Sequence, residues 1–264
     1  MTEDGGSGDT APWARRADPW EPMRALTRAR IGLGRSGDAL PTRSVLALRA
    51  AHAAARDAVH QPLDTAALSA ALAAVGFPET AVVSSRARSR AEYLRRPDLG
   101  RVPAGDLSEL PGGGAEVGIV LADGLSPRAV AEHGVGLVAA LQSEWAGRYA
   151  IAPVVVAVQA RVALGDHIGA ALGARTVLVL IGERPGLSVA DSLGVYLTHD
   201  PMPGRSDAER NCVSNIHPPD GLGYSDAARV VARLLEGART LGRSGVSLKD
   251  TGVSAPPLSG GGEV

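Results

Sequence analysis

The spacing of apolar residues changes along the chain and divides it into regions. Over residues 19–101 the apolar positions recur at intervals of three and four, which is typical of helices with one buried face. The clearest set lies on one helical face and consists of Val45, Leu48, His52, Ala55 and Val59. A second helix is predicted from about Thr65 to Val75, with Asp64 as its N-cap and Gly76 after its last turn. We therefore predict a helical domain over residues 19–101.

Beyond a Pro- and Gly-rich linker at residues 102–114, the apolar residues form short continuous runs rich in β-branched side chains. The runs are Val117–Ala122, Val154–Val158, Thr176–Ile181 and Leu193–Thr198. Helix-like stretches at 127–147 and 163–173 separate the first three runs, and the fourth is expected to extend the same sheet. Continuous apolar strands joined by helices indicate a parallel sheet covered on both faces. We predict an α/β fold: a Rossmann-like, doubly wound, mainly parallel sheet over residues 115–250, preceded by the helical domain.

The two ends of the chain lack this patterning. Residues 1–18 are polar and Gly-rich and predict a disordered arm, because they offer little apolar surface to offset the entropy of ordering. The last predicted helix is capped by Ser225 and ends at Gly242. Residues 251–264 predict a flexible tail.

Composition and charge exclude several classes of protein. The 27 basic and 28 acidic residues leave no overall charge for a nucleic acid or a membrane surface. A single cysteine excludes an intrachain disulfide framework and a cysteine-built metal site. No stretch approaches the roughly 20 apolar residues of a membrane span, and the first fifteen residues have no secretory apolar region, so we expect a cytoplasmic protein. The sequence contains no G-x-G-x-x-G fingerprint of dinucleotide enzymes after a strand and no G-x-x-x-x-G-K-[ST] P-loop of NTPases. It also lacks the H-E-x-x-H motif of zinc proteases.

In an open parallel sheet, ligands approach the carboxyl ends of the strands, so the residues after each run are the candidates. After the first run, Ser126 and Pro127 fit a helix start, whose free N–H groups could also meet an anion. After the second run, Arg161 and Val162 occupy the strand-to-helix turn. The Arg161 donors could bind amide or phosphate oxygens, or the side chain could be a solvated loop arginine. Nearby His167 is interpreted as a helix-surface residue.

The third run ends in the distinctive segment Gly182-Glu183-Arg184-Pro185-Gly186. Glu183 could accept hydrogen bonds from a ligand's amide or hydroxyl groups, or could pair locally with Arg184. Further on, a polar segment surrounds Cys212, which is interpreted as a buried residue rather than a nucleophile, although His217 and His199 follow and precede it.

Six arginines between Arg86 and Arg101 indicate either a solvated helical surface or an interface with acidic or amide-rich groups. Nothing in the sequence assembles a nucleophile, a base and an oxyanion site, so we predict no catalytic residue and no metal ligand in this chain. The predicted sheet is interpreted as a binding platform.

Four runs of sequence are distinctive: DPWEPMRALTRARIGLGRSGDALPT (18–42), GIVLADGLS (118–126), VLIGERPGLSVADSLGVYLT (179–198) and ERNCVSNIHPP (209–219). Together they resemble the small, or light, subunit of ethanolamine ammonia-lyase. The resemblance spans residues 18–250. Its order and its unusual GERPGL and ERNC segments make it specific. The arm before Asp18 and the C-terminal tail depart from the family pattern.

The resemblance implies a hetero-oligomeric enzyme. A large subunit built as a TIM barrel would hold ethanolamine, and adenosylcobalamin (coenzyme B12) would lie between it and the Rossmann-like domain of this chain. The assembled lyase would release acetaldehyde and ammonia by a radical mechanism. The family's cofactor contacts carry over to Val162, Glu183 and Cys212. The resemblance leaves open whether the enzyme is enclosed in a bacterial microcompartment.

Two other interpretations stay open at this point. The sheet alone would also suit a free-standing nucleotide-binding oxidoreductase, although the glycine fingerprint is missing. A non-catalytic scaffold that has lost B12 binding would fit everything except the presence of Val162, Glu183 and Cys212 together.

Overall fold

The computed structural model describes residues 18–250 and Gly252. Its helices are α1 (Glu21–Ala25), α2 (Thr42–His60), α3 (Thr65–Ala74), α4 (Arg90–Arg95), α5 (Pro127–Trp145), α6 (Leu164–Ala171) and α7 (Tyr224–Leu241). Its strands are β1 (Thr80–Ser84), β2 (Val117–Ala122), β3 (Val154–Val158), β4 (Thr176–Gly182), β5 (Leu193–His199) and β6 (Asn211–Ile216). Single 3-10 turns lie at Leu99–Arg101 and Asp207–Glu209. The predicted arm and tail fall outside the described residues, apart from Asp18 and Gly252.

The chain divides into two compact units between Ala51 and His52, rather than at the predicted linker. In the first unit, none of residues 18–51 is buried. Several of its large apolar side chains are well exposed, among them Met23 at 52%, Leu26 at 87% and Leu46 at 59%. This unit therefore has no core of its own among its described residues.

All six strands join one mixed sheet in the second unit, in the order β1-β3-β2-β4-β5-β6. The first four strands in that order are parallel to their neighbours. Strand β2 is central: it pairs with β3 on one side and with β4 on the other, so the chain crosses over it after β3. The α/β class is confirmed, and the four predicted runs are all strands.

The predicted extension of the sheet by the fourth run is confirmed, but parallel pairing ends at β4: β5 runs antiparallel to β4, and β6 runs antiparallel to β5. Only residues 183–192 connect β4 to β5, and they contain no helix. A parallel return needs a crossover of a dozen or more residues, so this short connection enforces the antiparallel pairing.

Two strands were not predicted. Strand β1 lies inside residues 19–101, for which helices alone were expected, and it pairs with β3 from Thr80↔Val154 to Ser84↔Val158. Strand β6 contains Cys212 and has only Val213 and Ile216 buried. Both are edge strands of the sheet, and a half-exposed edge strand lacks the continuous apolar run that identifies a buried strand.

Helices cover both faces of the sheet. One face packs against α3, α5 and α7, through side chains such as Ile119 and Leu137. The other packs against α6, through Val120 and Ile168. Two predicted caps are confirmed: the Asp64 side chain accepts from Ala67 N at the start of α3, and Ser126 caps α5.

The predicted cap of the last helix was wrong. Helix α7 begins at Tyr224 after Gly223, which places Ser225 inside the first turn. The predicted end at Gly242 is confirmed, since this residue caps α7 in the left-handed conformation with φ 69°.

Candidate functional site

The candidate site lies at the edge of the sheet where the parallel strands end. Asp123 follows β2, Gln159 follows β3 and Glu183 follows β4. The antiparallel β5 begins at the same edge with Leu193 opposite Gly182, and β6 ends there with Ile216 opposite Leu193. Polar residues from distant parts of the sequence therefore meet along one edge.

Asp123 ties the end of β2 to the turn after β3. Its buried carboxylate accepts hydrogen bonds from Gln159 N at 2.8 Å and Ala160 N at 2.9 Å. Arg90 Nη1 lies 3.4 Å from the same carboxylate. Burial raises the pKa of Asp123, and the two backbone donors and Arg90 oppose that rise. This residue is a scaffold for the turn that carries Arg161 and Val162.

Tyr93 contacts two arginines at this edge. The guanidinium carbons of Arg90 and Arg161 lie 4.7 Å and 4.5 Å from the centre of its ring, within the range of cation–π attraction. The Tyr93 hydroxyl donates to Ala160 O at 2.9 Å. Burial raises the pKa of Tyr93 to about 12, so the hydroxyl stays protonated. Arg90, one of the six arginines of the 86–101 segment, is thus partly buried, with its side chain 13% exposed.

Several buried polar atoms here have no hydrogen-bond partner within the described part of the chain. They are Arg90 Nη2, Gln159 Oε1 and Arg161 Nε. Gln159 also has a positive φ of 53°, which is uncommon for a residue with a side chain. Unpaired buried polar atoms and strained backbone both cost free energy, and such features cluster at ligand sites. Their coincidence points to a ligand that would supply the missing partners.

A cavity of about 320 Å³ opens beside Arg161, whereas Arg90 and Gln159 do not line it. It is lined by Tyr93, Gly124, Leu125, Arg161, Val162, Ile181, Gly182, Glu183, Arg184 and Tyr196. Two of the three predicted cofactor contacts, Val162 and Glu183, therefore share one cavity. A volume near the lower end of the ~300–1,000 Å³ typical of small-molecule sites suits part of a large ligand.

Glu183 is held by the elements around it and not by Arg184. Ser192 Oγ donates to its Oε2 at 2.5 Å, and Asn215 N approaches the same oxygen at 3.4 Å. Its Oε1 lies over Gly194, where an added Cβ would come within 2.8 Å of that oxygen. The glycine thus leaves the space that the carboxylate occupies. Because both hydrogen bonds go to Oε2, Oε1 can accept from a ligand.

Cys212 does not line the cavity itself. It lies on β6 directly opposite Tyr196 of β5, and Tyr196 does line the cavity. The prediction that this cysteine is buried was wrong, because its residue is exposed. Partial desolvation raises the pKa of the Cys212 thiol, and burial raises the pKa of Tyr196 to about 12. Both shifts favour the neutral forms of the thiol and the phenol.

Sequence reasoning missed part of this site. Tyr93 and Tyr196 were not singled out, although tyrosines are scarce in this chain, with four in total. The sequence alone does not decide whether Arg161 is a ligand donor or a solvated loop residue. The structure shows it half-buried, stacked on Tyr93 and short of one partner. That geometry favours the donor interpretation.

Comparison with known proteins identifies the family of this chain. The family model described as the ethanolamine ammonia-lyase light chain matches residues 17–249. The chain belongs to the ethanolamine ammonia-lyase light-chain family. The match covers both compact units and every element of the sheet.

Individual relatives of the light-chain family agree with this assignment. The ethanolamine ammonia-lyase small subunit of Rhodococcus erythropolis is 60% identical over 243 residues, covering 92% of this chain and 94% of the relative. Those of Ralstonia nicotianae and Bradyrhizobium diazoefficiens are 47% and 51% identical. They cover 96% and 89% of this chain and 96% and 92% of their own lengths. These names support the light-chain interpretation and neither of the two alternatives.

The light-chain assignment leaves the roles of Val162, Glu183 and Cys212 as predictions.

Among the helices of residues 18–250, none combines the length and apolarity that a bilayer crossing requires.

Proposed function

We propose that this chain is the small subunit of an ethanolamine ammonia-lyase, which converts ethanolamine to acetaldehyde and ammonia together with a large catalytic subunit. The observation that carries the proposal is the family match over residues 17–249 together with a ligand cavity at the carboxyl edge of the sheet. The cavity contains binding groups and no nucleophile–base pair. This composition suits a subunit that holds a cofactor rather than one that performs the chemistry.

Adenosylcobalamin is the proposed cofactor, and it would supply the radical that starts the reaction. The groups at the edge suit its chemistry: the corrin ring is apolar on its faces and fringed with neutral amides, which both donate and accept hydrogen bonds. Arg161 Nε lacks an acceptor and Gln159 Oε1 lacks a donor, so each could bind one end of a primary amide. A cavity of about 320 Å³ covers only part of so large a ring, as expected if two subunits share it.

Individual roles follow from position. Val162 offers apolar surface at the start of the turn before α6. Glu183 Oε1 would accept from a side-chain amide, while Ser192 fixes the carboxylate through Oε2. Cys212 would contact the ring edge beside Tyr196 through its weakly polar sulfur.

The strand order supports a Rossmann-like, doubly wound interpretation of the parallel part of the sheet. The chain leaves β2 for β3 on one side and reaches β4 on the other, which creates a topological switch point at the carboxyl end of β2. Ligands of open α/β sheets bind at such points. Asp123, Val162 and Glu183 lie around this one.

The first unit supports the proposed association with the large subunit. An ordered segment without buried residues is typical of a piece that is completed by a partner, and Met23, Leu26 and Leu46 would otherwise expose apolar surface to water. We propose that the large subunit covers them. The cytoplasmic location, inside or outside a bacterial microcompartment, remains a prediction.

The test is to co-express the chain with its cognate large subunit, add adenosylcobalamin and ethanolamine, and assay acetaldehyde. We expect a stable complex that contains cobalt and makes acetaldehyde, while either subunit alone does not. Turnover by the large subunit alone at the rate of the complex would contradict the proposal. So would failure of the two chains to associate.

A further inference from the structure

A second cluster of chemically capable side chains, none of which lines the cofactor cavity, lies beside the first turns of α5. Glu132 and His133 are consecutive on α5, and Asp191 lies in the connection between β4 and β5. One ring nitrogen of His133 and one carboxylate oxygen from each acid lie within 4.8 Å of one another. Glu132 is exposed, Asp191 is half-buried and His133 is only 9% exposed.

His133 carries the observation that separates this cluster from an ordinary group of surface acids. Its Nδ1 lies 2.8 Å from the Tyr224 hydroxyl, whereas its Nε2 is buried and has no hydrogen-bond partner in residues 18–250. A buried imidazole nitrogen without a partner costs free energy unless something binds it. Two carboxylates stand beside that ring.

The surroundings of His133 resemble the outer shell of a metal ligand. A ligating histidine normally donates its other N–H to an oxygen, which fixes the tautomer and aims the free lone pair. Tyr224 supplies such an oxygen at the start of α7. Its ring packs against α5 at Gly136, where an added Cβ would come within 2.7 Å of the ring.

We propose that Glu132, His133 and Asp191 form a binding site for a divalent first-row cation such as Zn²⁺. One imidazole nitrogen and two carboxylate oxygens are a ligand set that Zn²⁺ and its neighbours accept. Bonds of about 2.0–2.2 Å would require the two acidic side chains to close slightly on the ion. The cation would tie the β4–β5 connection, which begins at Glu183, to helix α5.

Arg128 is the competitor for this site. Its guanidinium lies 2.9 Å from Glu132 Oε1 and 3.4 Å from Asp191 Oδ2, so it already balances both acids. Two-fifths of this side chain is exposed, which allows it to swing into solvent when a cation enters. Metal and Arg128 should therefore exclude each other, and this exclusion gives the proposal a specific signature.

The experiment titrates the tag-free full-length chain with Zn²⁺ by calorimetry and with Co²⁺ by its visible absorption, which reports the ligand field. We expect one equivalent of metal and a rise in Tm with Zn²⁺. His133→Gln and Asp191→Asn should abolish both. Tyr224→Phe should weaken binding by about tenfold, as outer-shell changes do, and Arg128→Gln should strengthen it.

Two matched controls complete the design. His60→Gln changes an exposed histidine on α2, and Arg148→Gln breaks the exposed ion pair with Glu236. Both should bind metal as the wild type does. The proposal is overturned if no stoichiometric binding occurs, if His133→Gln and Asp191→Asn both bind as the wild type, or if Arg128→Gln weakens binding. None of these readouts depends on lyase activity.

Discussion

A buried arginine, Arg210, and a half-buried one, Arg161, differ in how completely the chain satisfies their hydrogen-bond donors. Arg210 is the residue directly before β6, and its side chain is only 2% exposed. It donates to both oxygens of buried Asp166 at 2.6 and 2.7 Å, to Thr198 Oγ1 at 2.9 Å and to Arg205 O at 2.8 Å. Every direction of the guanidinium is used within the chain.

Arg161 has no such set of partners. It stacks on Tyr93 at the carboxyl edge, and its buried Nε has no acceptor in the described residues. The Arg210 region is therefore built for stability, whereas the Arg161 region keeps unpaired polar atoms that a bound molecule would satisfy.

The largest expected effect is a loss of stability caused by a substitution in the Arg210 region. Asp166→Ala would leave Arg210 buried without its counter-ion, so we expect the free energy of unfolding to fall by about 3–5 kcal/mol. Urea denaturation of the full chain, followed by circular dichroism, measures this. Arg229→Gln, which breaks an exposed pair with Asp226, is the control and should change stability by less than about 1 kcal/mol. Equal losses of unfolding free energy in the two variants would contradict a special structural role of the Arg210–Asp166 pair.

Arg161→Met should behave in the opposite way. Because its Nε has no partner in the free chain, we expect stability to change by less than about 1 kcal/mol. Cobalamin affinity of the assembled enzyme should fall by roughly 10- to 100-fold, the value of a hydrogen bond to a charged group. Equilibrium titration with adenosylcobalamin checks the affinity. A stability loss as large as that of Asp166→Ala would show that Arg161 is structural.

Glu183→Gln should have a smaller effect on the same affinity. The amide keeps an acceptor for Ser192 but removes the charge that strengthens a bond to a cofactor amide, so we expect roughly five- to tenfold weaker binding. Glu236→Gln, on the exposed face of α7, is the matched control. Unchanged affinity and turnover in Glu183→Gln would exclude Glu183 from the cofactor contacts.

The smallest expected effect is on the pH dependence of folding stability, and it arises from Glu209, which directly precedes Arg210. Backbone donation from Ser206, followed by Arg205 and the Ser206 hydroxyl, lowers the pKa of Glu209 from 4.5 to about 2. The folded state therefore favours the ionised form. Glu209 contributes stability above pH 4.5 that is lost as the pH falls towards 2. Denaturation midpoints between pH 5 and pH 2 should fall less steeply in Glu209→Gln, and identical pH profiles would contradict this.

Much of this contrast could not be predicted from the sequence. The four apolar runs predicted β2, β3, β4 and β5, because strands buried on both faces are continuous in apolar residues. The edge strands β1 and β6 are half-exposed and lack that signal. The pairing of Arg210 with Asp166 joins residues 44 positions apart, which no local pattern indicates.

The residues of the candidate site that directly follow a predicted strand could be predicted from the sequence. The rule that ligands meet the carboxyl ends of strands indicated Arg161, Val162 and Glu183. It could not indicate Tyr93, which reaches the edge from the helical part of the sequence, or the register that places Cys212 opposite Tyr196.

Cobalamin affinity tests whether the carboxyl edge of this sheet forms one side of the cobalamin site. The dissociation constant of adenosylcobalamin is measured for the large subunit alone, for the complex with wild-type chain and for the complex with Arg161→Met. We expect the wild-type complex to bind at least tenfold more tightly than the large subunit alone and the Arg161→Met complex to lose most of this gain. Equal affinity in all three preparations would contradict it.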